Sequence, residues 1–305
     1  MQKANMSFLK IKDQYLNFIK QQEVMGEPFQ DKIGQLNNFY IPISDFIYKK
    51  HKKNKKTLII GLAGGQGSGK STIAKILKII LKKKYKLNVI NFSIDDYYKT
   101  LKDRKLMSKK INKLFLIRGV PGTHDIDLIK NHLNILKKKF LTKIKIPKFD
   151  KSKDDRVSKN KWIKINKKQD IVIFEGWCVG ATSQNDKILK KPINNLEKFE
   201  DDKFTWRKKV NNELKTRYKK TFNLIDIFIF LQVPSFKHVY KWRLLQEKKL
   251  KIKSKGKKIM NNSQIKNFIM YYERITKNMI KIFSRKANIV IKLDKKHRLN
   301  QLKFN

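Results

Sequence analysis

"GLAGGQGSGKST" runs from Gly61 to Thr72, and within it Gly64–Ser71 spells G-x-x-x-x-G-K-[ST]. Backbone N–H groups in such a loop can cradle the β- and γ-phosphates of a nucleotide. Lys70 can neutralise charge developing on a transferred group, and Ser71 can ligate Mg²⁺. The pattern arises by chance in unrelated chains, so its context decides. Here it follows "TLIIGLA", a continuous apolar run that predicts a buried parallel strand. It opens "KSTIAKILKIILKKKYK", which has helical periodicity. A strand, a glycine loop and a helix in that order make a phosphate-binding unit. The candidate nucleotide-binding residues are Gly64, Gly65, Gln66, Gly67, Ser68, Gly69, Lys70, Ser71 and Thr72.

Outward from this unit, four more apolar runs read as strands: "NVINFSI", "DIVIFEG", "DIFIFLQV" and "NIVIKL". Helical patterns separate them, among them "DIDLIKNHLNILKKKF" and roughly 205 to 220, 235 to 250 and 262 to 285. Alternation of this kind predicts an α/β fold with a parallel sheet covered on both faces. Residues 1–54 are expected to form a helical N-terminal extension on a core domain of residues 55–305.

Ligands of such sheets bind beyond the carboxyl ends of the strands. "SIDDYYKT" places Asp95 and Asp96 there, where one of them can take a proton from a substrate hydroxyl. Either can instead cap a turn. Beside a phosphate loop the base is preferred, because in-line transfer to an alcohol needs one opposite the nucleotide; which of the two serves is open. "IVIFEGW" ends on Glu175, a carboxylate able to hold Mg²⁺ through water. "RGVPGTHD" combines a turn with Arg118, which can grip a carboxylate or phosphate, and with Thr123 or Asp125 as a helix cap. "PKFDKSKDDR" reads as a charged loop after a short "KIKI" strand. In "VYKWRLLQEKKL", Trp242 and Leu245 are candidate core residues. Arg243 can reach over the phosphates or pair with Glu247 one turn on. Cys178 reads as a small buried hydrophobe.

Composition narrows the class. No apolar run among the 305 residues approaches the roughly 20 needed to cross a bilayer. The first residues carry no signal-like apolar block, and one cysteine permits no internal disulfide. A soluble cytoplasmic protein is expected, with no membrane partner. The net charge of +49 comes from 74 Lys and Arg against 25 Asp and Glu. Lysine is spread from Lys3 to Lys303 beside abundant Asn and Ile, as AT-rich codon usage produces. No basic cluster interleaved with aromatics stands out, so no specific nucleic-acid partner is expected. The nine arginines are more informative, since a retained arginine points to a need for a planar donor. A guanine-binding N-K-x-D is missing after the later strands; "NKKQD" has the wrong spacing and precedes the third.

The order "GGQGSGKST", "SIDDYY", "RGVPGTHD", "PKFDKSKDDR", "FEGWCVG" and "WRLLQE" resembles the D-glycerate 3-kinase group of the phosphoribulokinase, uridine kinase and pantothenate kinase superfamily. The resemblance covers about Leu58 to the end. It implies a P-loop fold with a five-stranded parallel core and a helical lid carrying Arg243, ATP and Mg²⁺ as cofactors, and a small hydroxy acid, D-glycerate first, as acceptor. It implies Asp95 as base, Lys70 as the catalytic cation, and Ser71 with Glu175 around the metal. Arg118, His124, Asp125, Asp150, Lys151 and Arg156 match substrate-contacting segments. A short "KDDR" loop and "YYERITKNM" look like the bacterial branch and leave the acceptor open. A monomer is expected.

Overall fold

The computed structural model describes residues 2–23, 29–138, 143–253 and 260–305. Its strands are β1 (Leu58–Gly64), β2 (Val89–Ser93), β3 (Ile144–Ile146), β4 (Phe149–Asp150), β5 (Asp155–Arg156), β6 (Ile163–Ile165), β7 (Ile171–Gly176), β8 (Ile227–Gln232), β9 (Ile289–Leu293) and β10 (Leu299–Phe304). The longer helices are α1 (Gln2–Gln22), α2 (Ile41–Asn54), α3 (Lys70–Tyr85), α4 (Leu101–Lys110), α5 (Ile126–Lys137), α6 (Thr205–Glu213), α7 (Phe236–Lys253) and α8 (Asn262–Lys286).

The main sheet has the order β10-β9-β8-β1-β7-β2. The five strands expected from apolar runs are its parallel members. The sixth, β10, returns antiparallel along β9. β3 pairs with β6 and β4 with β5 in two small hairpin ladders outside the main sheet.

Successive strand residues point to opposite faces, so the continuous apolar runs fill two cores. Ile59, Ala63, Phe92, Val172, Phe174 and Phe230 pack on one side with buried residues of α5, α6 and α8. Leu58, Ile60, Leu62, Ile171, Ile173 and Ile229 pack on the other with α3, α1, α2 and Trp242 of α7. The amino-terminal helices therefore share a core with the phosphate loop's own helix, through Ile11, Tyr15, Ile19, Ile43 and Ile47. Each such side chain, fully buried, is worth about 1.5–3 kcal/mol of transfer free energy.

Local signals set the ends of these helices. Gly69, at φ +91°, begins α3, and the left-handed Lys86 ends it after a basic last turn. Asp125, not Thr123, caps α5, accepting from the Leu128 N–H at 3.3 Å. Residues 139 and 140, expected to extend that helix, lie outside the described residues. The pattern over 205–220 is realised as α6 running through a π-helical turn, Leu214–Tyr218, into a last turn at Lys219–Phe222. Trp242 is buried as expected, whereas Leu245 is only half-buried. Among the described residues, no helix is long and apolar enough to cross a membrane.

Candidate active site

β1, β7 and β2 are neighbours, so their carboxyl ends bring three segments together: the phosphate loop, Glu175 and the Asp95 turn. Gly67 has φ +75°, and a Cβ there would stand 3.0 Å from Cβ of Trp242. Only glycine lets α7 lie this close over the loop. The Lys70 ammonium donates to the Gly65 carbonyl at 2.8 Å. Burial lowers its pKa, against the pull of the Glu175 and Asp95 carboxylates. The Gln66 side-chain amide and the Ser68 hydroxyl are buried with no protein partner. A loop with unpaired polar atoms and room at Gly69, where a Cβ would meet nothing, fits a polyphosphate.

The Ser71 hydroxyl donates to Oε1 of Glu175 at 2.7 Å. Burial pushes the Glu175 carboxyl up, while Lys70 and the Ser71 hydrogen bond pull it down, and the net shift is upward. A hydroxyl and a carboxylate so joined fit a Mg²⁺ ion that keeps most of its ligands as water and phosphate oxygen.

The two aspartates after β2 separate cleanly. Asp96 closes a capping box, its carboxylate accepting from the Ser93 N–H at 3.1 Å. Asp95 faces the site instead. Its Oδ1 accepts from the Tyr98 hydroxyl at 2.8 Å, and its Oδ2 from the Lys151 ammonium at 2.9 Å. Burial would raise the Asp95 pKa, but the charge and hydrogen bond of Lys151, with Tyr98, outweigh it and hold it at about 2.

His124 is fully buried, stacked on Tyr98 with ring centres 4.7 Å apart. Its Nδ1 is 2.7 Å from the Tyr218 hydroxyl. That hydroxyl also accepts from the Gly122 N–H at 2.9 Å. Burial lowers the imidazole to about 3, which keeps it neutral.

The other expected substrate contacts are engaged within the protein. Arg118 pairs with Asp154 and lies over the Phe149 ring, 5.3 Å from its centre. Arg156 donates to the carbonyls of Tyr98 and Tyr97 at 2.6 and 3.1 Å and to Asp125 at 3.1 Å. Asp125 and Arg156 thus hold β5 to the turn that carries Asp95. Asp150 closes the β4–β5 hairpin, accepting from the Ser152 N–H at 2.9 Å. Arg243 donates to Gln246 at 2.8 Å and to Glu247, with Phe268 beneath it. It takes the within-helix partner.

Sequence reasoning misses three contributors. Tyr98 donates to Asp95, only three residues back, and Tyr218 meets His124 across 94 residues of chain. Arg104, 1% exposed, ties α4 to the hairpin: it donates to the carbonyls of Lys99, Leu116 and Asp154 at 3.3, 2.7 and 2.6 Å, and pairs with the Asp154 carboxylate at 3.0 Å.

A glycine cradle, a lysine at the first turn of its helix and a serine facing a carboxylate at the next strand's end define a P-loop phosphotransferase with a hydroxyl acceptor. The chain belongs to the phosphoribulokinase/uridine kinase family, whose signature matches residues 59–241. It is 34% identical over 239 residues to the uncharacterized kinase mug58 of Schizosaccharomyces pombe, a match covering 75% of this chain and 83% of that one. Against the chloroplastic D-glycerate 3-kinase of Arabidopsis thaliana it is 28% identical over 256 residues, 78% of this chain but only 53% of the plant protein. The D-glycerate 3-kinase of Cryptococcus neoformans shares its fold, with a TM-score of 0.72, 24% identity, and coverage of 87% of this chain and 99% of that one. These relatives are eukaryotic and lend no support to a bacterial branch.

Proposed function

We propose that this protein transfers the γ-phosphoryl group of ATP to a hydroxyl of a small hydroxy acid, D-glycerate first. The observation that carries this reading is the Asp95 carboxylate, ionised and paired with the Lys151 ammonium, at the same sheet end as the phosphate loop. The plant and fungal D-glycerate 3-kinases among its relatives favour the acceptor.

The residues divide the work. The loop's backbone N–H groups, with Gln66 and Ser68, hold the phosphates. Lys70 leaves the Gly65 carbonyl and neutralises the charge that grows on the transferred group. Ser71 and Glu175 would hold Mg²⁺, which would supply charge neutralisation for the phosphates. Asp95 takes the hydroxyl proton through Oδ2, with Tyr98 fixing its rotamer on the other oxygen. Arg118 and Lys151 are the cations for the acid's carboxylate. Asp96, Asp125, Asp150 and Arg156 shape the pocket's walls. Arg243 acts on the nucleotide after leaving Glu247. We place the protein in the cytoplasm, as a monomer without a nucleic-acid partner. The charge of +49 is distributed lysine rather than a binding face.

The test is ADP release with Mg·ATP and D-glycerate, L-glycerate, pantothenate, gluconate, uridine, a short RNA or water alone. Turnover confined to D-glycerate is expected, and it vanishes in Asp95→Asn. Turnover with another acid or a nucleoside would replace the acceptor and keep the mechanism. ADP release that needs no acceptor, or needs RNA, would overturn the reading.

A further inference from the structure

Lys151 sits at the tip of the β4–β5 hairpin with its side chain 63% exposed, yet its ammonium lies 2.9 Å from Oδ2 of Asp95. The other oxygen, Oδ1, is held by Tyr98. The base proposed above therefore has both oxygens hydrogen-bonded, and Oδ2 is bonded to a cation. A carboxylate oxygen paired with an ammonium is a weakened acceptor for a substrate proton until the lysine moves.

The hairpin around this lysine is fixed. Asp154 is gripped by Arg104 and Arg118, and Arg156 is tied to Tyr97, Tyr98 and Asp125. What can move is the flexible four-carbon stem of Lys151. What would draw it away is a stronger or better placed anion.

We infer that the Lys151–Asp95 ion pair is a latch opened by the acceptor's own carboxylate, so that the base is released only when a hydroxy acid is bound. This rests on the proposed reading of the acceptor as an acid. With the acid in place, Lys151 turns to its carboxylate and leaves Oδ2 free. Asp95 then faces a neutral pair instead of a lone cation, which restores its power to take a proton. The hydroxyl oxygen bonds to the γ-phosphorus as the bond to the β–γ bridging oxygen breaks. That electron pair departs with ADP, and the hydroxyl proton passes to Oδ2. Lys151 remains an ammonium throughout. Selection for an acid then acts on the chemical step as well as on binding.

The test uses the full chain, Mg·ATP, and wild type beside Lys151→Met. Two acceptors share hydroxyls and differ in charge: D-glycerate and its neutral amide. A third arm gives ethylene glycol with and without formate, which is glycerate cut at one carbon–carbon bond. For wild type, kcat on the acid should exceed kcat on the amide by about 100-fold, the order expected for a base in and out of service. In Lys151→Met that ratio should fall at least tenfold, chiefly through faster turnover of the amide. Formate should accelerate phosphorylation of ethylene glycol in wild type and not in the variant. An unchanged acid-to-amide ratio in Lys151→Met overturns the latch, including the case in which both substrates slow equally. If wild type phosphorylates no hydroxy acid at all, the proposed function fails instead. An acid turned over by an enzyme whose ratio ignores Lys151 sinks the latch alone.

Discussion

The Ser71 hydroxyl and the Glu175 carboxylate meet at 2.7 Å across 104 residues of sequence. Glu175 is 6% exposed, and burial holds its pKa above the ordinary carboxylate range. A carboxyl raised on folding contributes stability below its unfolded value and loses it as pH rises through the folded one. At neutral pH the buried Glu175 is therefore a cost to the ligand-free fold. Glu175→Gln should raise the ligand-free Tm by about 2 °C while lowering kcat/KM for Mg·ATP roughly 100-fold. Calorimetry and steady-state kinetics check the pair. A lower Tm with intact activity would refute this account.

Asp95 and Asp96 are adjacent in sequence and differ in their partners, a cap for Asp96 and Tyr98 with Lys151 for Asp95. Asp95→Asn should cut kcat by about 10²–10⁴ and leave the helical signal intact. Asp96→Asn weakens a cap, should cost ~1 kcal/mol in denaturant unfolding, and should keep turnover within about tenfold. The reverse pattern would move the base to Asp96.

His124 gives the fold an acid sensitivity. Its pKa falls from an ordinary 6.5 to about 3 because burial disfavours the charged ring. Between those values the unfolded chain binds the proton and the folded chain does not, so stability rises with pH across that window. Melting temperatures of wild type should climb from pH 4 to 6.5, and those of His124→Gln should climb less. Parallel curves would show that the ring is protonated in the fold.

Arg104 has its guanidinium inside the protein with all three of its nitrogens engaged. Arg104→Lys cannot reproduce that fork and leaves a charge partly unpaired, so it should cost about 3 kcal/mol. If the hairpin it anchors serves the acceptor, KM for the acid should rise and KM for ATP should not. Equal changes in both would mean that Arg104 serves the fold alone.

Much of the sheet was legible because parallel strands buried on both faces leave unbroken apolar runs. "LNQLKF" escaped notice because β10 is an edge strand with mostly exposed residues and so has no such run. The same logic governs the site. Lys70, Ser71, Asp95 and Glu175 each end or follow an apolar run, and the structure gathers them at one end of the sheet. Tyr218 lies 94 residues from His124, and Arg104 lies 50 from Asp154. Such contacts depend on how α6 and the hairpin fold back, which no local pattern encodes. Arg243 shows the converse: its partner Glu247 stands at i+4 in the sequence, and the two side chains pair.

β1, β7 and β2 stand side by side in the sheet. Paired strands are spaced about 4.8 Å apart, so the loop that ends β1 and the turn that ends β2 are about 10 Å apart, with Glu175 between them. The sheet is thus a ruler for the reaction. Donor and base cannot drift together or apart without breaking a strand pair, whatever the surrounding loops do. The proposed acceptor site, by contrast, is built from the hairpin and the "RGVPGTHD" turn, which hang from the sheet and can be rebuilt without touching it. A fold divided in this way can exchange one acceptor for another over evolutionary time and keep the same phosphoryl chemistry.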